Sequence, residues 1–189
     1  MSVALPKLRT LDEFLDWEER QDARWEFDGF NPTAMTGGTW AHATIQINLT
    51  TALNNRLRGK PCRPAGSHMK IRVRGSIRYP DAFVVCSPVA ASDTVVNEPV
   101  VVFEILSPST ASIDTVDKNA EYRDTPSIQR YVMLAQDHPH AVMFERINGD
   151  WVGHILSGDI TIALPEIDIV LPLRELYDGV LPVETTATG

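Results

Sequence analysis

Cysteine is scarce in this chain of 189 residues: Cys62 and Cys86 are the only two. Two thiols at this separation make neither a disulfide framework nor a zinc spacing. They are expected to be small, core-packing residues, reduced in a cytoplasmic protein. Long apolar runs are also missing. None reaches the roughly 20 residues that a membrane-spanning helix requires. Met1 to Thr10 lack the basic segment, apolar stretch and small-residue cleavage site of a secretory signal. Positive charge is in short supply: 17 Lys and Arg against 25 Asp and Glu give a net charge of −8. Non-specific DNA binding draws its affinity from neutralised phosphates, so any such grip here has to be local. No phosphate-cradling loop or nucleotide motif is visible, which argues against other phosphoester hydrolases that depend on one.

What is present reads as one globular domain of ordinary composition, 43% apolar and 22% charged. It is expected to span residues 1–181, with 182–189 a frayed tail that has nothing to bury. Residues 10–20 predict a short amphipathic helix capped by Thr10, with Glu13 three residues on. Leu11, Phe14, Leu15 and Trp17 form its apolar side. Trp25 to Met35 alternate around Asp28-Gly29, which predicts a strand, a turn and a returning strand. Ile45, Leu49, Ala52, Leu53 and Leu57 recur at helical spacing between Trp40 and Arg58, and Gly59 follows.

Strand-like runs cover Met69–Val73, Ile77–Cys86 and Val100–Leu106. A loop at 107–113 leads to a second helix over Asp114–Asp124, stopped by Pro126. Further strands are expected at Arg130–Ala135, Ala141–Ile147, Trp151–Leu156 and Thr161–Leu164, with Asn148-Gly149 a strong hairpin signal. The fold class is therefore mixed α/β (α+β): a mixed central sheet flanked by helices, with C-terminal hairpins.

Some residues resist a purely structural account. Arg56, Arg58, Lys60, Arg63, Lys70, Arg72, Arg74 and Arg78 gather in one stretch. They read equally as a local basic surface and as ordinary solvent-facing side chains. Glu104 lies inside Val100–Leu106, a run apolar enough to be a strand buried on both faces. A carboxylate is costly to bury without a partner; a metal ion is one such partner and a Lys or Arg another. Asp81 follows Pro80, which belongs at a strand start because it lacks an N–H. It can reach into a cleft there, or bond to nearby backbone. Two carboxylates on adjacent strands suit a hard cation such as Mg²⁺. His42, at the start of the long helix, is within reach of such a cleft. His138 and His140 flank Pro139 in what reads as a turn.

The order Glu26, Pro80-Asp81 and Glu104-Ile105-Leu106-Ser107-Pro108-Ser109-Thr110, followed by Lys118 and Tyr122, resembles the Uma-type restriction-endonuclease family of the PD-(D/E)XK nuclease superfamily. The resemblance runs over about residues 8–178. It implies a restriction-endonuclease-like core and a Mg²⁺- or Mn²⁺-dependent endonuclease acting on DNA. Asp81 and Glu104 would bind the metal, with the backbone carbonyl of Ile105 as a further ligand. Glu26 would add a carboxylate, and Lys118 would orient water or stabilise the phosphate. Duplex cleavage by such an enzyme favours a homodimer.

Departures from the family pattern keep an alternative in view, a catalytically silent nuclease-fold module for binding or scaffolding. Leu106 stands where the superfamily places its lysine, and Lys118 matches a position on the following helix. Ala135 stands where the family carries a strand-terminal Asp.

Overall fold

The structure, a computed structural model, describes residues 8, 10–35, 37–106 and 114–180. The loop expected at 107–113 and the tail at 182–189 lie outside the described residues. The local signals near the N-terminus are realised closely. Helix α1 (Leu11–Glu18) starts at Thr10, whose hydroxyl accepts the Glu13 N–H at 3.1 Å. Strands β1 (Trp25–Phe27) and β2 (Pro32–Ala34) pair antiparallel around the Asp28-Gly29 turn. Helix α2 (Trp40–Leu57) buries Ile45, Leu49, Ala52, Leu53 and Leu57. Gly59, at φ +79°, takes the left-handed conformation that ends it.

The chain continues through β3 (Arg63–Gly66), β4 (Lys70–Val73), β5 (Ser76–Arg78), β6 (Ala82–Val85), β7 (Val95–Val96) and β8 (Pro99–Leu106). Helix α3 (Asp114–Asp124) follows. Then come β9 (Arg130–Ala135), β10 (His140–Ile147), β11 (Asp150–Ser157), β12 (Thr161–Leu164) and β13 (Ile169–Pro172). A six-stranded mixed sheet, in the order β11-β10-β9-β8-β6-β3, forms the centre. Among the described residues, its only parallel pair is β8 with β9, and β8 is an interior strand. A second sheet has the order β2-β1-β5-β4-β7.

One face of the central sheet packs on α2 and on the β12–β13 hairpin through Val84, Phe103, Leu134 and Leu171. The other face packs on α3 and β4 through Phe83, Val102, Tyr122 and Ile71. Helix α1 stacks Phe14 on Phe27 of the second sheet, ring centroids 4.8 Å apart. The chain is a mixed α+β protein, as the pattern of its elements predicts.

Two expectations need correction. The single run expected over Ile77–Cys86 is two strands in two different sheets. Pro80 cannot donate to a ladder, and the chain crosses from the second sheet to the central one at Pro80-Asp81. Cys62 and Cys86 are not free thiols: they form a disulfide. The β3–β6 ladder pairs Arg63 with Val85, so Cys62 and Cys86 are the next pair along it. That removes the reduced-thiol premise from the cytoplasmic expectation.

Much of the basic stretch, left open between two readings above, is paired with carboxylates, while Arg58 and Arg63 are exposed. Arg56 pairs with Glu175 and Lys60 with Asp168. Lys70 is buried on Glu18, Arg74 meets Asp124, and Arg78 is buried among carboxylates. Among the described residues, no helix is long and apolar enough to cross a membrane.

Candidate active site

Strand alternation along β8 sends Phe103 and Ile105 to the α2 side and leaves Glu104 facing α3. There the Tyr122 hydroxyl donates to Glu104 Oε1 at 2.8 Å, and Lys118 Nζ lies 3.6 Å from the same oxygen. Lys118 and Tyr122 are four residues apart on α3, one helical turn, so both reach the same strand. Lys118 Nζ also donates to Glu26 Oε1 at 3.1 Å. Glu26 comes from β1, where its Oε1 accepts the Tyr79 N–H at 3.0 Å.

Asp81 sits at the crossover just before β6. Its Oδ2 accepts the Ile105 N–H at 2.7 Å. Its Oδ1 lies 2.8 Å from His42 Nε2 and 3.3 Å from Gln46 Nε2. All four residues singled out from the sequence, Glu26, Asp81, Glu104 and Lys118, line one cleft of about 920 Å³, together with His42 and Gln136.

Burial pushes the Glu104 carboxyl up to about 7; the Lys118 ammonium opposes this, while Asp81 and Glu26 add to it. The Tyr122 hydroxyl is raised well above its ordinary value, chiefly by burial and then by Glu104, so it stays a donor. The hydrogen bond to Asp81 raises the His42 imidazole. The site therefore holds one carboxyl, Glu104, whose ionisation is opposed by burial and by its acidic neighbours.

The donors expected from the sequence are of the type that a hard divalent cation takes. Asp81, Glu104 and the Ile105 carbonyl offer oxygen alone, which suits Mg²⁺ or Mn²⁺ retaining several waters. The set is small: among the described residues, no group of three or more His, Cys, Asp or Glu is arranged around one point. Glu104 also has the other kind of partner foreseen for a buried carboxylate, a lysine.

Sequence reasoning passed over Gln136 and Gln46. Gln136 follows β9, and the parallel pairing of Leu106 with Ala135 sets it beside the end of β8. Its Oε1 accepts the Thr39 hydroxyl at 2.7 Å, and its Nε2 lies 3.4 Å from His42 Nδ1. The signal is in the sequence: the residue just past a strand neighbouring β8 is a cleft position, one residue beyond Ala135, where the family pattern places its acid. Lys70 is not at this site, being held by Glu18 at 2.6 Å. His138 is exposed beside Asp137 and stacks near His140, away from the cleft.

Comparison with known proteins matches this chain to a family model, Uma2, described as "Putative restriction endonuclease", over residues 11–173. An uncharacterised Synechocystis protein, slr1290, is 30% identical over 182 residues, covering 94% of this chain and 95% of its own length. A second from the same organism, sll1609, is 28% identical over 141 residues, covering 72% of this chain and 80% of its own. The crystal structure of a "putative nuclease belonging to DUF820" from Anabaena variabilis superposes with a TM-score of 0.76 at 17% identity. That match covers 91% of this chain and 99% of the other, and it establishes a shared fold. The chain belongs to the Uma2 family.

Proposed function

We propose that this protein is a divalent-metal-dependent endonuclease that hydrolyses DNA phosphodiester bonds. The observation that carries the reading is the position of Lys118. Its ammonium lies 3.1 Å from Glu26 and 3.6 Å from Glu104, in the same cleft as Asp81. A lysine beside two buried carboxylates suits the stabilisation of charge that develops on a phosphoryl group.

Asp81, Glu104 and the Ile105 carbonyl would hold Mg²⁺ or Mn²⁺. Such an ion, when bound, polarises the phosphodiester and supplies a hydroxide-like nucleophile. The remaining roles belong to the chain itself. The Ile105 N–H and His42 hold the two Asp81 oxygens in place. Tyr122 fixes Glu104. Glu26 holds the Lys118 ammonium where it can orient water or meet the phosphate. One cleft cuts one strand; cutting both strands of a duplex calls for a twofold dimer.

A second reading has its own support. Lys118 and Tyr122 already satisfy Glu104, and most of the basic stretch is paired internally. That arrangement suits a silent binding module of the same fold.

Incubating the purified protein with supercoiled and single-stranded DNA separates the two. The nuclease reading expects nicking with Mg²⁺ or Mn²⁺, none with chelator, and none for Asp81→Ala or Glu104→Ala. Wild-type protein that leaves both substrates intact under every metal condition points to the silent module.

A further inference from the structure

The second sheet carries a buried ion pair that has no bond to Asp81 or Glu104. Arg78, on β5, is almost fully enclosed, its side chain 5% exposed. Its Nε donates to Glu121 Oε2 at 2.7 Å and its Nη2 to Glu121 Oε1 at 2.9 Å, a two-pronged fork. Its Nη1 reaches Glu26 Oε2 at 3.4 Å. The Ser76 hydroxyl adds a bond to Glu121 Oε1 at 2.8 Å. A buried ion pair is poor evidence for stability, because desolvation offsets its attraction. Its use is better sought in the geometry it fixes.

Glu121 lies three residues after Lys118, about one turn along α3. Besides Asp124 on Arg74, two ties a turn apart join the helix to the second sheet. Lys118 binds Glu26 on β1, and Glu121 binds Arg78 on β5. Strands β1 and β5 are neighbours, with Phe27 paired to Ile77. Two ties a turn apart constrain both the height of the helix and its rotation at the turn that carries Lys118, while Tyr122, Arg123 and Asp124 hold the turn that follows.

The charges agree with this division of labour. Glu26 and Glu104 lie beside Lys118, and Glu26 and Glu121 beside Arg78. Arg78 takes both oxygens of Glu121, so Glu121 does not draw the Lys118 ammonium down its own helix face. The ammonium is left between Glu26 and Glu104, on the cleft side. In a chain with Leu106 at the usual lysine position, the amine has to come from α3, and α3 has to be held.

We propose that Arg78 and Glu121 are positioning residues for Lys118. Their fork holds the turn of α3 that delivers the ammonium into the cleft beside Glu104. This rests on the reading of Lys118 as the group that acts on the phosphate.

The test uses Arg78→Lys, which keeps the charge and loses the fork, and Glu121→Gln, which keeps the shape and loses the charge. Thermal melts confirm folding, and either variant serves if the other fails to fold. Each should lower kcat by about 100-fold, the usual cost of a misplacement of about 1 Å, with KM changed by no more than about twofold. Mn²⁺ affinity by calorimetry should stay within about twofold, since neither substituted residue bonds to Asp81 or Glu104.

The same substitutions are then made in a Lys118→Gln background, with single-turnover rates measured at excess enzyme. There they should have little further effect, because the group they position is gone. Full activity in a folded variant overturns the proposal. So does an equal loss in both backgrounds, or a loss of Mn²⁺ affinity matching the loss of rate. An inactive wild type overturns it together with the nuclease reading; an active wild type with an undiminished Arg78→Lys variant overturns this proposal alone.

Discussion

Replacing Glu104 with glutamine should make the metal-free protein more stable, and only above mildly acidic pH. The folded-state carboxyl titrates near about 7, against an ordinary 4.5. Burial is the main cause, and the Lys118 ammonium does not fully offset it. As pH rises past 4.5 the unfolded chain releases this proton, while the folded chain keeps it until about 7. Over that window the unfolded state gains on the folded one, so stability falls with rising pH and is level above it.

Taking about 1.36 kcal/mol per pH unit across the interval from 4.5 to about 7 gives a penalty of about 3 kcal/mol. Glutamine has nearly the same shape, can still accept the Tyr122 hydroxyl, and carries no charge. Near pH 8 the variant should therefore be about 3 kcal/mol more stable, a rise in Tm of roughly 6–12 °C for a protein of this size. Near pH 4 the two should melt together.

The assay is a set of urea and thermal melts followed by circular dichroism across this pH range, with chelator present. Mn²⁺ should then narrow the gap by raising the wild type alone. A variant less stable than wild type near pH 8, or a gap that does not change with pH, would show that the charge on Glu104 is already fully compensated.

Lys118→Gln should abolish DNA cleavage, by about 100-fold or more, and leave Mn²⁺ affinity by calorimetry nearly intact, since an ammonium is not a metal ligand. A parallel loss of Mn²⁺ binding would contradict the assigned role. Reducing the Cys62–Cys86 disulfide should cost about 3 kcal/mol, given the separation of 24 residues that it closes. Melts with and without reductant, and mass spectrometry after alkylation, test this; two alkylated thiols in the untreated protein would refute it. Leu53→Ala on α2, at a fully buried position, should destabilise by about 2–5 kcal/mol in urea denaturation. A smaller loss would mean that the interface between α2 and the central sheet can collapse around the gap.

Features written in short stretches of sequence were legible. The Thr10 cap, the apolar stripe of α2, the buried run of β8 and the Asn148-Gly149 turn each depend on neighbours a few positions away. Asn148 and Gly149 both take positive φ, 52° and 93°, as a two-residue hairpin demands. Asp81 and Glu104 stood out because each is a carboxylate at a place where strand physics disfavours one. Lys118 did not stand out by physics; family resemblance marked it.

What escaped notice depends on partners far along the chain. Nothing local distinguishes buried Lys70 and Arg78 from surface cations, because Glu18, Glu26 and Glu121 lie 43 to 52 residues away. The disulfide follows from the β3–β6 ladder, and β3 itself, a short Pro- and Gly-containing edge strand, carries no alternating pattern. Gln136 enters the cleft only because β9 runs parallel to β8.

The cleft draws its members from widely separated stretches of chain. Lys118 meets Glu26 across 92 residues, Thr39 meets Gln136 across 97, and His42 meets Asp81 across 39. Contacts of such separation are entropically costly to close and tend to form late in folding. During synthesis the N-terminal elements emerge first, and β1 and α2 can take shape with no α3 or β9 yet made. A nascent chain that has not yet folded α3 and β9 onto the earlier elements thus has its carboxylates apart from its lysine, and whatever chemistry the cleft performs is withheld until those elements are made and docked.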